Sequence, residues 1–288
     1  MGDHGPAPLL SAKTAANRQS AEPDVAINLR GNALDAAVAP GNVTCRSGSM
    51  LPGEVAMIDH RDLDVSDKII ETAVACGASL AGIAPFRAVG NSLLRGSYGM
   101  DVRPDTMRSV LVIALEHDDA HPSLDWYTGR GGTPGNRILI RIARDLETVL
   151  RQKFAIVSRS LPYHVEKGGI FLKEAASEAG LGVIGRNNLL ITPRFGPRVR
   201  LRALLLDQAL VPTPSNRFEP CDSCKAPCLE ACPRHAFRDR RYDASACHVQ
   251  MKADEAHGHI AEEGRHASSS AICTRYCRAC ELACPVGR

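Results

Sequence analysis

The sequence predicts an α/β fold in which an α/β layer is followed by a compact, cysteine-rich module. Three observations predict it. Helical and strand periodicities alternate from Asp64 to Leu206, the pattern of a layered domain. Within that stretch Ser109–Leu115 (SVLVIAL) is unbroken apolar sequence, as a central strand covered on both faces requires. Nine of the eleven cysteines then fall between Cys221 and Cys284. With 288 residues the chain can bury a real core. Three segments are expected: an extension over 1–60, an α/β domain over 61–212 and a cysteine domain over 213–288.

In chain order, the first 55 or so residues are rich in Ala, Gly, Pro, Ser and Asn and have no sustained period. They read as a disordered or weakly ordered extension in which Cys45 is an incidental thiol. Order is expected from Asp64, with Ser66 capping a helix whose apolar positions Ile69, Ile70, Ala73 and Val74 share one face. Gly77 ends that helix, Cys76 belongs to the core, and Ser79–Phe86 is a strand that Pro85 helps close. The run Glu116-His117-Asp118-Asp119-Ala120-His121 after the central strand reads as a solvated loop, since its histidines and acids have no recognised ligand spacing.

Residues 125–137, DWYTGRGGTPGNR, are glycine-rich and irregular and carry Trp126, Tyr127 and Arg130. Asn136 is placed to cap a helix with the apolar face Ile138, Leu139, Ile142, Leu146, Val149 and Leu150. Phe154–Ser158 is expected as a strand, and Ile170–Ala179 as a helix stopped by a left-handed Gly180.

Gly180-Leu-Gly182-Val-Ile-Gly185 matches the dinucleotide fingerprint by letter, but its context is wrong. That turn must follow a strand and open a helix so that the helix amino terminus meets a pyrophosphate. Here a helix precedes the glycines and the strand Leu189–Thr192 follows, so the glycines mark places where backbone comes close to something bulky. Five arginines and no acid follow: Arg186, Arg194, Arg198, Arg200 and Arg202. Phe195-Gly196-Pro197 turns the chain between two strands, and Arg198, Arg200 and Arg202 alternate on one face. That face is either solvated, or it receives an anion such as a phosphate or propionate-type tail, or it sets a field for a nearby cluster.

The cysteines form two echoing blocks, Cys221-x2-Cys224-x3-Cys228-x3-Cys232-Pro233 and Cys273-x3-Cys277-x2-Cys280-x3-Cys284-Pro285, with Cys247 between them. Three spaced cysteines, then a fourth followed by proline, wrap a cubane iron–sulfur cluster, and in two-cluster proteins the fourth cysteine serves the other cluster. Soft iron in a sulfide cage calls for thiolates, closely spaced because the cage is small. Disulfides would suit a small secreted chain. Structural zinc on Cys221, Cys224, Cys277 and Cys280 would leave Cys228, Cys232 and Cys284 unexplained. Two four-iron clusters in a ferredoxin-like module account for the set. The near balance of 35 basic and 32 acidic side chains gives no push toward nucleic acid or membrane. No apolar run is long enough to cross a bilayer, and no export signal is read at the amino terminus, so a reducing cytoplasm is expected.

AGLGVIGRNNLLITPRFGPRVRLRALLLD at 179–207, with the cysteine blocks behind it, resembles the corrinoid-linked iron–sulfur reductases, which comprise the epoxyqueuosine reductases and the catalytic core of the reductive dehalogenases. SDKIIETAVACGASLAGIAPF and MRSVLVIAL look like the start of the same fold, so the resemblance spans residues 64–288. It implies a nitroreductase-like, corrinoid-binding α/β layer, with base-off cobalamin lying close to the nearer cluster. Gly180, Gly182 and Gly185 would line the corrin edge, the 189–206 hairpin would flank it, and Arg186, Arg198 and Arg200 would complete the cofactor-binding set. Cys221, Cys224, Cys228 and Cys284 would hold one cluster. Cys232, Cys277, Cys280 and a remote cysteine would hold the other; the family's remote ligand follows the first block, as Cys247 does. By spacing alone Cys273 is as good a candidate.

Four departures from the family stand out. Three residues separate Cys224 and Cys228 where the family usually has two, so that loop must bulge. Gly129-Arg130-Gly131-Gly132-Thr133 stands where epoxyqueuosine reductases carry an acidic proton donor. The chain ends four residues after Cys284 and carries no export signal, so neither a tRNA-gripping helical-repeat domain nor the dehalogenase leader is expected. The expectation is an oxidoreductase passing low-potential electrons from a ferredoxin- or flavodoxin-type donor through two clusters to cobalamin and a small substrate. Tyr127, Tyr163 and His164 are the candidate proton donors. The alternative is a non-catalytic electron carrier or reductive activator of a corrinoid protein. A zinc-stapled nucleic-acid binder is a third class, which the balanced charge and the surplus cysteines disfavour.

Overall fold

A computed structural model of the chain describes residues 60–87, 106–129, 132–238, 241–260 and 272–288. These fall in one compact unit, Val55–Arg288. Residues 1–59 of the expected extension, with Cys45, and Arg130 lie outside the described residues.

Helix α1 is His60–Ala75. It begins ahead of Ser66, which is therefore not its cap: the Ser66 hydroxyl is buried and accepts a hydrogen bond from the Val211 amide (2.9 Å). Ile69 and Ala73, one turn apart, are fully buried, whereas Val74 lies a further 100° round and is half exposed. Gly77 (φ 107°) turns the chain out of the helix, and Cys76 packs partly buried against the core, as expected.

The central sheet has four strands in the order β1-β2-β6-β3, all paired antiparallel. These are β1 Leu80–Pro85, β2 Ser109–Glu116, β3 Ser158–Ser160 and β6 Val199–Leu206. β2 sits between β1 and β6, and both its faces are covered. Leu111, Ile113 and Leu115 share one core with Ile69, Ala73, Leu139, Ile142, Leu146, Leu150, Leu204 and Leu206. Val110, Val112 and Ala114 share the other with Ala175, Ala176, Ala179, Leu181, Ala203 and Leu205. Each fully buried Val, Leu or Ile among them contributes about 1.5–3 kcal/mol.

Helix α2, Pro134–Phe154, lies on the first face. Its cap is Thr133, whose hydroxyl accepts from the Asn136 amide (3.1 Å); Asn136 sits inside the first turn instead of capping it. The helix also takes Phe154, one turn beyond Leu150, so the following strand is Ser158–Ser160 and not 154–158. On the other face lies α3, Leu172–Glu178, followed by the left-handed Gly180 (φ 70°). A short hairpin then forms from β4 Val183–Ile184 and β5 Leu190–Ile191. β4 was not foreseen in the sequence. Thr192 and Gly196 pair through reciprocal 2.9 Å backbone hydrogen bonds at the expected Phe195-Gly196-Pro197 turn.

The cysteine-bearing segment contains α4 Pro227–Glu230, β7 Phe237–Arg238, β8 Arg241–Tyr242, α5 Ala244–His257, β9 His259–Ile260, β10 Ile272–Cys273 and α6 Ala279–Leu282. α4 and α6 pack together. Each carries one cysteine (Cys228, Cys280) and runs into the next cysteine and its proline (Cys232-Pro233, Cys284-Pro285), so the sequence echo becomes a structural one. Among the described residues no helix is long and apolar enough to cross a membrane.

Candidate metal centres

Eight cysteines line two separate cavities. Cys221, Cys224, Cys228 and Cys284 line the first, closed by Pro220, Ala226, Pro285 and Val286. Cys232, Cys247, Cys277 and Cys280 line the second, which is wider and also bounded by Lys173, Arg234, Tyr242 and Arg278. The first set takes three cysteines from the first block and Cys284 from the second; the second set takes Cys277 and Cys280 from the second block, Cys232 from the first and Cys247 from between them, an exchange that the packing of α4 against α6 allows. Cys273 lines neither cavity; it is buried in β10, opposite His259.

The electrostatics sort the thiols in the same way. Burial, followed by the neighbouring Cys284, Cys221 and Cys224, pushes the Cys228 thiol up. Burial pushes Cys280 up to about 12, with Cys277, Cys232, Glu281 and Cys247 adding to it. Bare thiols this crowded hold their protons; four thiolates at one place need a positive centre among them. The donor sets therefore fit a cationic, sulfur-ligated group. Backbone amides support them: Ala226 donates to Cys224 Sγ and Ala236 to Cys232 Sγ, both at 3.3 Å. Among the described residues no three His, Cys, Asp or Glu side chains converge as ligands of a single ion.

The segment Arg186–Ile191 separates the cavities. Arg186, Asn187 and Ile191 face the first, and Asn187, Asn188 and Leu189 the second. The Arg186 guanidinium donates to the Cys224 carbonyl (3.3 Å), Asn187 Nδ2 to the Cys280 carbonyl (3.3 Å), and Lys173 to the Asn188 carbonyl (2.5 Å). The glycines before it are accounted for by the chain itself. A Cβ at Gly180 would strike the Pro214 carbonyl, one at Gly182 the Ile191 carbonyl, and one at Gly185 the Ile191 side chain.

The arginine face of β6 is not the solvated face that alternation allowed. Arg198 and Arg202 are buried, and the groups they bind belong to the protein. Arg198 donates to the carbonyls of Cys284 (3.3 Å) and Val286 (2.6 Å), clasping the end of the second cysteine block. Arg202 donates to Leu161 O and Asn136 Oδ1. Arg200 reaches Asp125 and Glu281, both at 3.0 Å. Arg278, between Cys277 and Cys280, pairs with the same two carboxylates at 2.6 and 2.5 Å. Burial works against the Arg200 charge, but Glu281 and Asp125 outweigh it and keep the guanidinium firmly ionised.

His117 joins this network and corrects the solvated-loop reading: it is fully buried, with Nδ1 2.5 Å from Asp125 Oδ1, while Asp118, Asp119 and His121 are exposed. Burial lowers its pKa, with Arg200 and Arg278 acting in the same sense against the Asp125 hydrogen bond. Burial raises the pKa of Asp125, but the His117 hydrogen bond and Arg200 outweigh this and hold it below the usual carboxylate range.

The candidate proton donors lie apart from the cavity walls. Tyr127 pairs through its backbone with Thr274 (2.9 and 2.8 Å), and its ring stands 6.1 Å from that of Tyr276. Tyr163 is exposed and meets His164 edge-on. Sequence reasoning missed Asn187, Lys173, Asp125, Arg278 and Glu281. Only the Asn187-Asn188 pair after a glycine carried a signal, since asparagine tolerates the left-handed φ of 56° that Asn188 adopts.

No protein-family model matches the chain. Over 215 residues it is 41% identical to a tetrachloroethene reductive dehalogenase of Desulfitobacterium hafniense, covering 60% of this chain and 38% of that one. Over 194 residues it is 30% identical to an epoxyqueuosine reductase of Synechococcus sp. (strain CC9605), covering 63% and 56%. The chain thus spans less than two thirds of these curated relatives, which are oxidoreductases. A solved epoxyqueuosine reductase superposes with a TM-score of 0.55 at 21% identity over 78% of this chain and 66% of that one. A reductive dehalogenase superposes at 0.51 and 16% over 76% and 31%. At these identities the shared property is the mixed α/β fold.

Proposed function

We propose that this chain, a relative of the reductive dehalogenases and epoxyqueuosine reductases, is an iron–sulfur oxidoreductase that moves low-potential electrons through two cubane clusters. Cys221, Cys224, Cys228 and Cys284 hold one, and Cys232, Cys247, Cys277 and Cys280 the other. The carrying observation is the division of eight cysteines between two cavities, with the last cysteine of each block, Cys232 and Cys284, lining the cavity of the other block and Cys247 completing the second set. That is the interlock of two-cluster ferredoxins.

The clusters, when bound, supply one-electron transfer. The chain's residues provide the thiolates, the Ala226 and Ala236 amides that donate to sulfur, and Arg198 and Arg278, whose charges stand beside the sulfur-lined walls. On this reading residues 213–288 form the electron-transfer part and residues 61–212 the part that meets the electron acceptor. A low-potential carrier of ferredoxin or flavodoxin type feeds it, in a reducing compartment.

The structure of one reductive dehalogenase of similar fold suggests a mechanism for B12-dependent dehalogenation. For cobalamin in this chain the support is kinship alone. Gly180, Gly182 and Gly185 are closed by their own chain, so the described residues offer no cradle comparable to the thiolate sets, and the proposed electron path ends at the clusters. That closure, with Tyr127, Tyr163 and His164 lying off the cavity walls, favours a second reading: an electron carrier or reductive activator acting on a corrinoid protein.

Anaerobic purification with iron, sulfide, zinc and cobalt counted tests the assignment. About eight irons per chain is the expected result; zinc without iron sinks it. A corrin spectrum retained after adding cobalamin and desalting supports the small-substrate reductase, and its loss supports the carrier.

A further inference from the structure

We propose that Asn187 is the common wall through which the two cluster sites are electronically matched, a tuning residue for both at once. The inference deepens the two-cluster reading and rests on it.

Asn187 belongs to the walls of both sulfur-lined cavities, and it is almost fully buried, at 3% exposure. Its amide has one orientation. Oδ1 accepts the Leu189 N–H (3.3 Å), which turns Nδ2 toward the cysteine side, where it donates to the Cys280 carbonyl (3.3 Å). An sp² amide nitrogen carries two hydrogens; the second is available on the same side. The position is held firmly. A Cβ on Gly185 would crowd Asn187 Oδ1 and the Ile191 side chain, and the left-handed Asn188 that follows is anchored by Lys173. The residue between two sulfur cages is therefore a fixed donor dipole without charge.

Donors aimed at cluster sulfurs stabilise the reduced, more negative state and raise the potential, whereas a carboxylate at the same point disfavours it. A residue lining only the second site, or one that merely props the Cys280 turn, would move one potential. Asn187 should move two.

The experiment is an anaerobic redox titration followed by electron paramagnetic resonance, on the wild-type holoprotein and on Asn187→Asp and Asn187→Ser. With about eight irons retained, Asn187→Asp should lower both potentials, each by at least tenfold in the equilibrium between oxidised and reduced cluster, which is 59 mV for one electron. Asn187→Ser, a shorter neutral donor, should move both less. A shift of one potential alone, or of neither, overturns the proposal. So does loss of iron from both variants, which would make Asn187 a scaffold residue. A wild-type protein with fewer than two clusters defeats the underlying reading instead.

Discussion

Arg200, on the central strand β6, reaches across to Glu281, the residue after Cys280, and closes an ion pair of 3.0 Å. The same carboxylate takes Arg278 at 2.5 Å, and Arg200 also holds Asp125 at 3.0 Å. The sheet and the cysteine module are thus joined by two arginines and two acids that satisfy one another, with Glu281 buried and Asp125, Arg200 and Arg278 partly buried. Removing one partner of such a set leaves charge stranded, which costs far more than the intact pair contributes.

Glu281→Ala should therefore destabilise the protein by about 3 kcal/mol, the lower end for a broken buried pair, because Asp125 remains for both arginines. Urea unfolding of anaerobic wild type and variant measures it. The double variant with Arg200→Met should recover part of the loss, and strict additivity of the two changes would count against the coupling.

Cys247 and Cys273 are equivalent by spacing and different by position: the first lines the wider cavity, and the second is buried against β9. Cys247→Ser should lose about half of the bound iron, and Cys273→Ser none. Iron counts on the two variants decide between them, and the opposite result would move the fourth ligand to Cys273.

Much of this was legible in the sequence, for identifiable reasons. Cysteine spacing is local, so the two blocks could be read directly, and Cys284 does join Cys221, Cys224 and Cys228 at one cavity. The run Val110–Leu115 declared a strand covered on both faces because no residue in it tolerates water, and both cores meet there. What covers a face is a tertiary fact. The alternation of Arg198, Arg200 and Arg202 placed them together, yet nothing local said that Glu281, Asp125 and the Cys284 carbonyl would meet them. His117 was misread for the same reason: its neighbours Asp118 and Asp119 are solvated, but its own side chain turns inward to Asp125. The cap of α2 was missed by a small step, Thr133 in place of Asn136, since several polar residues before the helix were equally suited.

The glycine segment supports a sharper test. Gly182 has its Cβ position filled by the Ile191 carbonyl of the paired hairpin strand, so Gly182→Ala must displace β4 from β5. Overpacking of this kind costs about 1–3 kcal/mol. Because Ile191 lines the first cavity, iron should also be lost from Gly182→Ala. Gly129→Ala is the control: among the described residues nothing lies within 4 Å of its Cβ position, and its φ of 85° is what opposes a side chain. Iron content should be unchanged there. Equal iron in both variants would show that the close approach at Gly182 has no consequence for the site.

The buried histidine sets a pH dependence whose sign follows from its surroundings. Burial, with the charges of Arg200 and Arg278, holds the folded pKa of His117 below its ordinary value, whereas in the unfolded chain it titrates near about 6.5. Below about pH 6.5 the unfolded state takes up a proton that the folded state refuses, so stability is lost as the pH falls from there toward the folded pKa. Asp125, also depressed, acts only at lower pH, below about 4. The window from about pH 6.5 downward is therefore the one in which His117 acts. His117→Gln keeps a donor for Asp125 and removes the titration. Thermal unfolding midpoints of both proteins between about pH 7 and pH 5 should show a shallower fall for the variant. Parallel curves would mean that His117 takes up its proton in the folded protein as readily as in the unfolded chain.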